Sequence, residues 1–497
     1  MPTGGGRATG GTGGAALRQS ERLSRPTLLA LAAMALATLV IAIDFTAFSV
    51  ALPSMERDLH ASLATVQWVI NAYAVVFGVV IVTGGRLADM LGRRTVFFIG
   101  AGIFAVFSLA GGLAPDAITL IACRAVMGAG GALMWPAMMG MTYDLLPEAK
   151  AGLAGGLILG SAGFGNAVGP LLGGLLTSEF SWRWILHLNV LIAAAAVAAT
   201  LRFIRPEVPR TARERLDYPG VAALAVGLVA LLLALDFSSA AGWSSAGVIA
   251  LLAISPLALL AFVLVERKAG ADALLPPDVV SNPTFAPACI AVLLFSAVFF
   301  SILLYLPQFM VRDLGWSAVA AGAGLLPMMI TFAVASLVAG SLYGRLGARV
   351  TATAGAACLT IGIFALSFLQ VHSGFAWLVP GMVVTGAGVG LFYSSISTAA
   401  ITALDPARAS LAGGVVYMCQ VGGGSVGLAV NTAIVVAAGP SVAGLVSGIQ
   451  HAFLVDAAAG LLGTAVTVTR VGTRPAPHDE GAGRRLGHHR MVHTRDS

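Results

Sequence analysis

Long apolar runs separated by short charged segments fill the chain between residues 27 and 470. Each run is close to the length of about 20 residues that an α-helix needs to cross a hydrocarbon core of about 30 Å. We therefore predict fourteen membrane-spanning helices. They are expected near residues 27–52, 66–83, 95–113, 117–141, 152–177, 183–202, 218–236, 246–265, 285–309, 319–340, 350–370, 375–400, 411–435 and 451–470.

The composition supports an all-α integral membrane protein. Of the 497 residues, 58% are hydrophobic and only 10% are charged, whereas soluble domains carry about 25% charged residues. So few charges cannot cover a surface that faces water. Many of the 61 glycines lie within the apolar runs, and small residues allow close packing of helices in a membrane.

The basic residues predict the orientation of the chain. With an even number of spans and the amino terminus inside, 24 of the 28 Lys and Arg residues fall in cytoplasmic segments. Arg57, Arg183 and Arg312 fall outside, and Arg124 falls within a span. Because cytoplasmic loops carry the excess of Lys and Arg, we expect a multi-pass plasma membrane protein with both termini in the cytoplasm. The net charge of +6 then needs no nucleic-acid partner.

A weak internal repeat divides the spans into two halves. The stretch "GRLADMLGRR" (85–94) is echoed by "GSLYGRLGAR" (340–349), in which Asp89 is replaced by Gly344. This symmetry is of the kind that transporter folds show, and it predicts two six-helix bundles with inverted repeats plus two inserted helices. The expected parts are a disordered cytoplasmic tail (1–26), an N-terminal bundle (27–202), a cytoplasmic linker (203–217), the inserted helices with their loop (218–284), a C-terminal bundle (285–470) and a second disordered cytoplasmic tail (471–497).

Two charged residues lie inside apolar spans. A carboxyl near the middle of a span costs about 2.5–3.5 kcal/mol on insertion scales, so Asp44 is expected to face a water-filled cavity or a partner. Burial favours its protonated form, which makes Asp44 a candidate proton carrier and a candidate contact for a cationic substrate. The alternative is an acid near the helix end whose side chain reaches outward. Arg124 either controls a nearby acid electrostatically or is satisfied by helix carbonyls.

The loop after the second span carries a mixed charge cluster. Gly85 and Gly92 allow tight helix ends, and Asp89 lies among basic residues that include Arg93 and Arg94. We predict a conformational latch, a charge cluster between helix ends that stabilises one state of the transporter. The alternative is an ordinary positive cytoplasmic loop with a screened ion pair.

The fifth span carries glycines at four-residue spacing. Gly165, Gly169 and Gly173, followed by Gly174, form a glycine face with Pro170 within it. Such a face permits close backbone contact, and proline bends the helix by removing a hydrogen bond. We predict a seam at a moving helix interface. An ordinary tight-packing face is the alternative.

Polar residues in other spans are weaker candidates. Gln67, Asn71 and Tyr73 in the second span and Tyr305 and Gln308 in the ninth are candidates for lining the substrate cavity.

Two further acids are expected to be solvated. Asp456 and Asp236 fall near predicted span ends toward the outer face.

The chain contains no GxxxxGK[ST] loop for ATP, no GxSxG, no HExxH and no paired Cys–His set. We therefore expect no catalytic residues, no metal site and no cofactor, with a proton gradient as the source of energy.

Several stretches resemble motifs of the major facilitator superfamily. "IDFTAFSVALP" is similar to the first-helix motif of its fourteen-helix drug:proton antiporters, "LADMLGRR" to its loop signature, and "LIACRAVMGAGGA" to its fourth-helix motif. "GNAVGPLLGG" resembles the fifth-helix motif of proton antiporters, and "WRWILHLNV" the start of the sixth helix. Phe45, Phe48 and His187 depart from the usual residues and are expected to tune the substrate.

The resemblance implies a multidrug or antibiotic exporter. We expect a proton-coupled antiporter that exports hydrophobic small molecules, cationic ones included, by alternating access. The resemblance associates Arg124 with proton coupling, and the expected partners are a small-molecule substrate, protons and the lipid bilayer, with the protein acting as a monomer. The alternative within transport is a dedicated exporter or facilitator of a metabolite such as an amino acid or siderophore. A membrane-embedded enzyme or a non-transporting sensor is less consistent with the few polar residues and short tails.

Overall fold

The computed structural model describes residues 23–147, 150–206, 217–270, 273–439 and 441–471. Regular structure in these residues is helical throughout. The first half comprises α1 (Arg25–Asp58), α2 (Leu63–Leu91), α3 (Arg93–Gly112), α4 (Ala117–Asp144), α5 (Ala151–Glu179) and α6 (Arg183–Phe203). The insert comprises α7 (Tyr218–Ala241), α8 (Ala246–Ala269) and the short α9 (Pro277–Val280). The second half comprises α10 (Phe285–Arg312), the short α11 (Ala318–Gly324), α12 (Leu326–Leu366), α13 (Phe375–Thr402), α14 (Ala409–Ala437) and α15 (Val442–Arg470).

The described residues confirm the fourteen predicted spans. Thirteen segments are long and apolar enough to cross a membrane, and one of them, Val319–Leu366, has 48 residues. This segment is broken at Gly347, whose φ of 81° is not helical, so it contains two spans. Residues 1–22, 207–216 and 472–497, which carry most of the predicted tails and linker, lie outside the described residues, and those predictions stay untested.

Polar residues fix where several helices begin. Ser24, Ser62 and Asp116 each accept a hydrogen bond from the backbone N–H three residues further along the chain. These N-caps satisfy N–H groups that the first turn of a helix leaves without a partner. Gly92 separates α2 from α3 with a φ of 96°, which glycine adopts without steric cost.

The two halves meet along two main helix pairs. The α2–α14 interface and the α5–α12 interface join the N-terminal bundle to the C-terminal bundle. Within the insert, α7 and α8 pack on each other, and α7 also contacts both α2 and α14. The insert therefore lies beside one of the two interfaces between the halves.

Large apolar side chains cover the outer surface of the helices. On α8, Ile249, Leu257, Leu260 and Leu264 are between 51% and 66% exposed. An apolar surface of this extent is incompatible with water and is typical of contact with lipid. The outer surface therefore agrees with a membrane-embedded fold.

The position of Asp456 differs from the sequence-based expectation. The last helix starts at Val442, nine residues before the predicted start of the span, so Asp456 is the 15th of its 29 residues. The side chain is only 3% exposed, so the prediction that Asp456 is solvated is wrong. The side chain of Asp236 lies outside the described part of the structure.

Candidate functional site

A buried ion pair joins the first and fourth helices. The carboxylate of Asp44 accepts hydrogen bonds from Arg124 Nη1, at 2.8 Å to Oδ1 and 2.6 Å to Oδ2. Asn189 Nδ2, on α6, donates a third bond to Oδ1 at 2.6 Å. Asp44 is 0% exposed and Arg124 is 1% exposed. These three residues form the N-terminal cluster, and Asp44 does not reach outward from a helix end.

Arg124 has further partners in addition to the acid. Its Nε donates to the Val69 carbonyl on α2 at 2.9 Å, and its guanidinium lies 4.5 Å from the ring centre of Phe48 and 4.2 Å from that of Tyr73. Cation–π contacts of this kind stabilise a desolvated guanidinium. Arg124 therefore bonds both to a nearby acid and to a helix carbonyl, the two possibilities that the sequence left open.

The N-terminal cluster has two distinct charge states. Removing one partner of a buried ion pair leaves an uncompensated charge and costs about 3–5 kcal/mol. A proton on Asp44 has the same electrostatic consequence, because the guanidinium then loses its counter-charge. Uptake of one proton can therefore change how α1, α4 and α6 are held together.

Asn189 is a member of this cluster that the sequence analysis did not single out. It is 0% exposed, and its side chain is an isolated amide in the apolar first part of the sixth span. An isolated amide in an apolar span is the signal from which Asn189 could have been predicted as a site residue. Polar side chains inside spans are costly unless they are paired.

We expect Asn189→Leu to lower the free energy of unfolding by about 1–3 kcal/mol, because a buried carboxylate loses a hydrogen-bond donor. The measurement is thermal unfolding of the purified protein. Thr200→Val on the same helix is the control, since the Thr200 hydroxyl bonds to the Ala196 carbonyl of its own helix. Equal losses in the two variants would contradict a special role for the amide.

The glycine face of α5 packs against α1 around Asp44. A Cβ at Gly165 would lie 2.7 Å from the Cβ of Ala42. At Gly169 it would overlap the Thr46 hydroxyl, and at Gly173 the Ala47 carbonyl oxygen. Gly174 differs, because its nearest neighbour is a Val50 methyl at 3.7 Å.

The glycine face around Pro170 packs against α1. Pro170 lies within the helix, and the glycines around it hold α5 directly against the helix of the buried acid. The glycine face is therefore a contact within the N-terminal bundle.

The first half of α5 packs closely against the other bundle. A Cβ at Gly152 would lie 2.7 Å from the Gly340 carbonyl oxygen, and one at Gly156 would lie 2.6 Å from the Ser336 carbonyl oxygen, both on α12. α5 thus packs on the segment around Asp44 and also contacts the opposite bundle along its length, as far as Gly174, where an added Cβ would lie 3.9 Å from Val319 on α11.

The predicted latch residues Gly85, Asp89 and Arg93 lie where α2 ends and α14 begins. Asp89 accepts hydrogen bonds from the backbone N–H groups of Leu411 at 2.8 Å and Ser410 at 3.3 Å, at the start of α14. A helix N-terminus favours a negative charge. Gly85 lies beside it, where a Cβ would be 2.6 Å from the Ser410 carbonyl oxygen. The loop therefore contacts the opposite bundle directly.

Arg93 extends this contact, whereas Arg94 does not. The guanidinium of Arg93 bonds to Asp89 at 3.2 Å, to Asp144 on α4 and to the Pro406 carbonyl of the opposite bundle. Arg94 instead donates to the Leu201 carbonyl at the end of α6, at 3.3 Å. The structure therefore places Arg94 apart from the cross-bundle contacts of Asp89 and Arg93.

The second copy of the loop has a different environment. Gly344, Arg345 and Arg349 are exposed, although Gly340 keeps the close helix contact described above. The charge cluster between bundles is thus formed by the first copy, in agreement with the loss of the acid at Gly344.

The five predicted cavity residues are not brought into one site. Gln67 is exposed, and Asn71 is half-buried. Tyr73 packs on the guanidinium of Arg124 in the N-terminal bundle, whereas Tyr305 is buried in the C-terminal bundle. Gln308 is half-buried near the C-terminal end of α10. The structure places them on two helices of different bundles.

Comparison with known proteins identifies the family. Residues 34–428 match the sequence profile of the Major Facilitator Superfamily. The chain belongs to this superfamily. The puromycin resistance protein pur8 of Streptomyces alboniger is 36% identical over 438 residues, covering 84% of this chain and 85% of the relative.

Other similar members of the superfamily are also named for export or resistance. The cephamycin export protein CmcT of Amycolatopsis lactamdurans is 35% identical, with 83% of this chain and 85% of the relative covered. The multidrug resistance protein Stp of Mycobacterium tuberculosis is 31% identical, with coverages of 84% and 77%.

A solved member of the superfamily supports the fold. The human organic anion transporter MFSD10 superposes with a TM-score of 0.64 over 89% of this chain and 100% of that chain. The two sequences are 14% identical, so this likeness concerns the fold alone. The chain is therefore a multi-pass membrane transporter of the superfamily.

Proposed function

We propose that the protein is a proton-coupled antiporter that exports hydrophobic small molecules, cationic ones included, from the cytoplasm. The observation that supports this most directly is the N-terminal cluster, a fully buried carboxylate held by one guanidinium and one amide. The names of the similar superfamily members, which refer to resistance to or export of antibiotics, support the substrate class.

In this mechanism Asp44 exchanges a proton for substrate. The ionised acid pairs with Arg124 at 2.6 Å, and protonation removes the charge that holds the guanidinium. Arg124 thereby biases the exchange, because it favours the ionised acid whenever the two side chains are in contact. Export against a gradient then requires only a difference in proton concentration across the membrane.

The change at Asp44 reaches the opposite bundle through α5. The α1 residues that pack on the glycine face, Thr46 and Ala47, lie within one turn of Asp44. Any shift of α1 on protonation therefore moves α5. α5 also packs along α12 of the opposite bundle, so the shift alters the contact between the bundles and favours rocking of one half against the other.

The cytoplasmic latch stabilises the conformation in which the cytoplasmic ends of the bundles are closed. Asp89 carries the bond between halves, and Arg93 links it to Asp144 and Pro406. Opening toward the cytoplasm breaks these contacts. In this proposal the protein acts as a monomer in the plasma membrane with both termini in the cytoplasm, and the proton gradient replaces any bound cofactor.

The central experiment is a resistance and transport panel. Cells that lack their own efflux pumps express the protein and are challenged with toxic compounds that include puromycin and ethidium. Proteoliposomes with an imposed pH gradient then measure export of the best compound and release of protons. We expect broad protection, and export that stops when a protonophore collapses the gradient.

Two results would contradict the proposal. Undiminished export after the gradient is collapsed would remove proton coupling. Flux of a single metabolite without protection against any toxic compound would favour the alternative, a dedicated exporter or facilitator of a physiological metabolite such as an amino acid or siderophore.

Asp89→Asn is expected to open the cytoplasmic side. The variant replaces the negative charge at the start of α14, whose interaction with a helix N-terminus is worth about 0.3–2 kcal/mol, by a neutral amide. We expect a larger share of long distances between spin labels attached at the exposed positions Leu91 and Arg345. These positions lie on opposite bundles, and pulsed electron resonance measures the distance.

Asp217→Asn is the matched control for that experiment. Asp217 caps α7 through the Gly220 N–H, and asparagine caps a helix about as well as aspartate. The control should leave the distance distribution unchanged. A distribution for Asp89→Asn that equals that of the parent would show that the charge does not hold the latch.

A further inference from the structure

A second buried carboxyl lies in the C-terminal bundle. Asn431 Nδ2 on α14 donates to both oxygens of Asp456 on α15, each at 3.0 Å. The same nitrogen lies 2.9 Å from Ser301 Oγ on α10, so the amide bridges the carboxyl and the hydroxyl. Asp456, Asn431 and Ser301 form the C-terminal cluster, and Asp456 is 3% exposed.

Asp456 has no cationic partner in the described part of the chain. The ion pairs among the described residues involve other acids. The helices packed against α15 are α10, α12 and α14, and the titratable group that they place near the acid is Tyr305, whose hydroxyl bonds to Thr432 at 2.8 Å. On α15 itself, His451 is exposed and bonds to the Ser447 carbonyl.

This environment favours a neutral carboxyl over an ionised one. A carboxylate buried without a counter-charge costs several kcal/mol even after relaxation. Asp44 avoids this cost because Arg124 lies beside it, whereas the equivalent region of the second half carries the buried, uncharged Met382. Of the two buried acids, Asp456 is therefore the one whose ionised form lacks a counter-charge among the described residues.

Asn431 can form a hydrogen bond with either protonation state of the Asp456 carboxyl. Its Oδ1 accepts no hydrogen bond from the described residues, and the side chain is 1% exposed. The Nδ2 group donates to an ionised carboxylate. If the amide turns over, Oδ1 accepts the O–H of the protonated acid, since an amide carries donors on one side and an acceptor on the other.

The two clusters occupy corresponding places in the two halves. In the N-terminal bundle the first span, α1, carries the acid and the sixth, α6, carries the amide. In the C-terminal bundle the first span, α10, carries the Ser301 hydroxyl and the sixth, α15, carries the acid. In the N-terminal bundle the acid bonds directly between the first and sixth spans. In the C-terminal bundle the acid on the sixth span bonds to Asn431 on α14, the fifth span, and that amide also bonds to Ser301 on the first.

We propose that the C-terminal cluster is a second proton-binding site, which releases and takes up one proton per transport cycle in addition to the proton exchanged at Asp44. The O–H bond of the Asp456 carboxyl breaks and the proton passes to water, and the reverse step restores it. Tyr305 and the half-exposed Thr432 lead from the cluster toward the outer end of α10 and α14. The link to transport rests on the proposed function, but proton binding itself does not.

Infrared difference spectroscopy tests proton binding without any transported probe. The full-length protein in liposomes is titrated with acid, and the C=O stretching bands of protonated buried carboxyls are recorded. We expect Asp456→Asn to remove one titrating band and Asp44→Asn to remove another. Asp116→Asn is the control: Asp116 is exposed and caps α4, so the buried bands should remain.

A second variant separates proton binding from a structural role. Asn431→Leu leaves Asp456 in place but removes the donor to its ionised form. The acid should therefore stay protonated over more of the pH range, and the band should titrate at higher pH. Thermal unfolding checks that each variant is folded.

The outcomes distinguish this proposal from the proposed function. If Asp456→Asn leaves the titration of the wild type unchanged, the second site does not exist. If the band titrates but no compound is exported, the proton site stands and the exporter function fails. Where a compound is exported, the proton-to-compound ratio in proteoliposomes should fall by one proton in Asp456→Asn, and an unchanged ratio would remove the site from the transport cycle.

Discussion

Asp44→Asn is expected to reduce gradient-driven export to the level of protein-free liposomes. The variant keeps the size of the side chain but cannot release a proton, so the exchange that drives export has no carrier. The buried guanidinium of Arg124 also loses its counter-charge, at a cost of about 3–5 kcal/mol of stability. Export of the best compound from the panel under an imposed pH gradient, together with thermal unfolding, measures the two effects.

A double variant separates the two effects. Asp44→Asn combined with Arg124→Gln removes both charges, so stability should recover while export stays absent. Asp58→Asn is a control on the same helix, because Asp58 pairs with Arg183 at a partly exposed site and such pairs are worth about 1 kcal/mol or less. Recovery of export in the double variant would show that the acid serves only to neutralise Arg124.

Gly173→Ala is expected to destabilise the protein and stop export, whereas Gly174→Ala is tolerated. A Cβ at Gly173 would overlap the Ala47 carbonyl oxygen on α1, and a backbone atom cannot move aside as a side chain can. Overpacking of this kind costs about 1–3 kcal/mol. At Gly174 the nearest atoms are side-chain methyls at 3.7 and 3.9 Å, so the added methyl fits.

These neighbouring glycines form a matched pair. Both substitutions remove a glycine from the same helix and add the same methyl group, so differences in helix propensity cancel. Thermal unfolding and export are measured for both variants. Equal behaviour of the two variants would mean that close contact between α5 and α1 matters neither for stability nor for coupling to Asp44.

The sequence predicted the spans well because each is long enough to be recognised from apolar length alone. The start of α15 is the exception. The start of α15 includes "SVAGLVSGIQH", in which glycines, serines, Gln450 and His451 lower the apparent hydropathy. The predicted span therefore begins too late, at residue 451, and Asp456 falls near its start. An error of nine residues in this boundary therefore led to the prediction that a buried acid is solvated.

The candidate site was only partly accessible to sequence reasoning. Isolated charges inside apolar spans identified Asp44 and Arg124, because such residues are costly in lipid and seldom lack a function. Their direct contact depends on how α1 packs on α4, which no local pattern encodes. Glycine spacing likewise predicted a face on α5 but could not show that this face packs against α1. The charge pattern of the loop could not show that Arg94 lies apart from the latch.

The position of α7 has a consequence for how the surrounding lipid meets the two boundaries between the halves. Because α7 packs on both α2 and α14, it shields that boundary between the halves from the surrounding acyl chains. The described residues of the insert make no comparable contact with the α5–α12 boundary. That boundary therefore meets the acyl chains directly, and lipid contacts the two boundaries between the halves unequally.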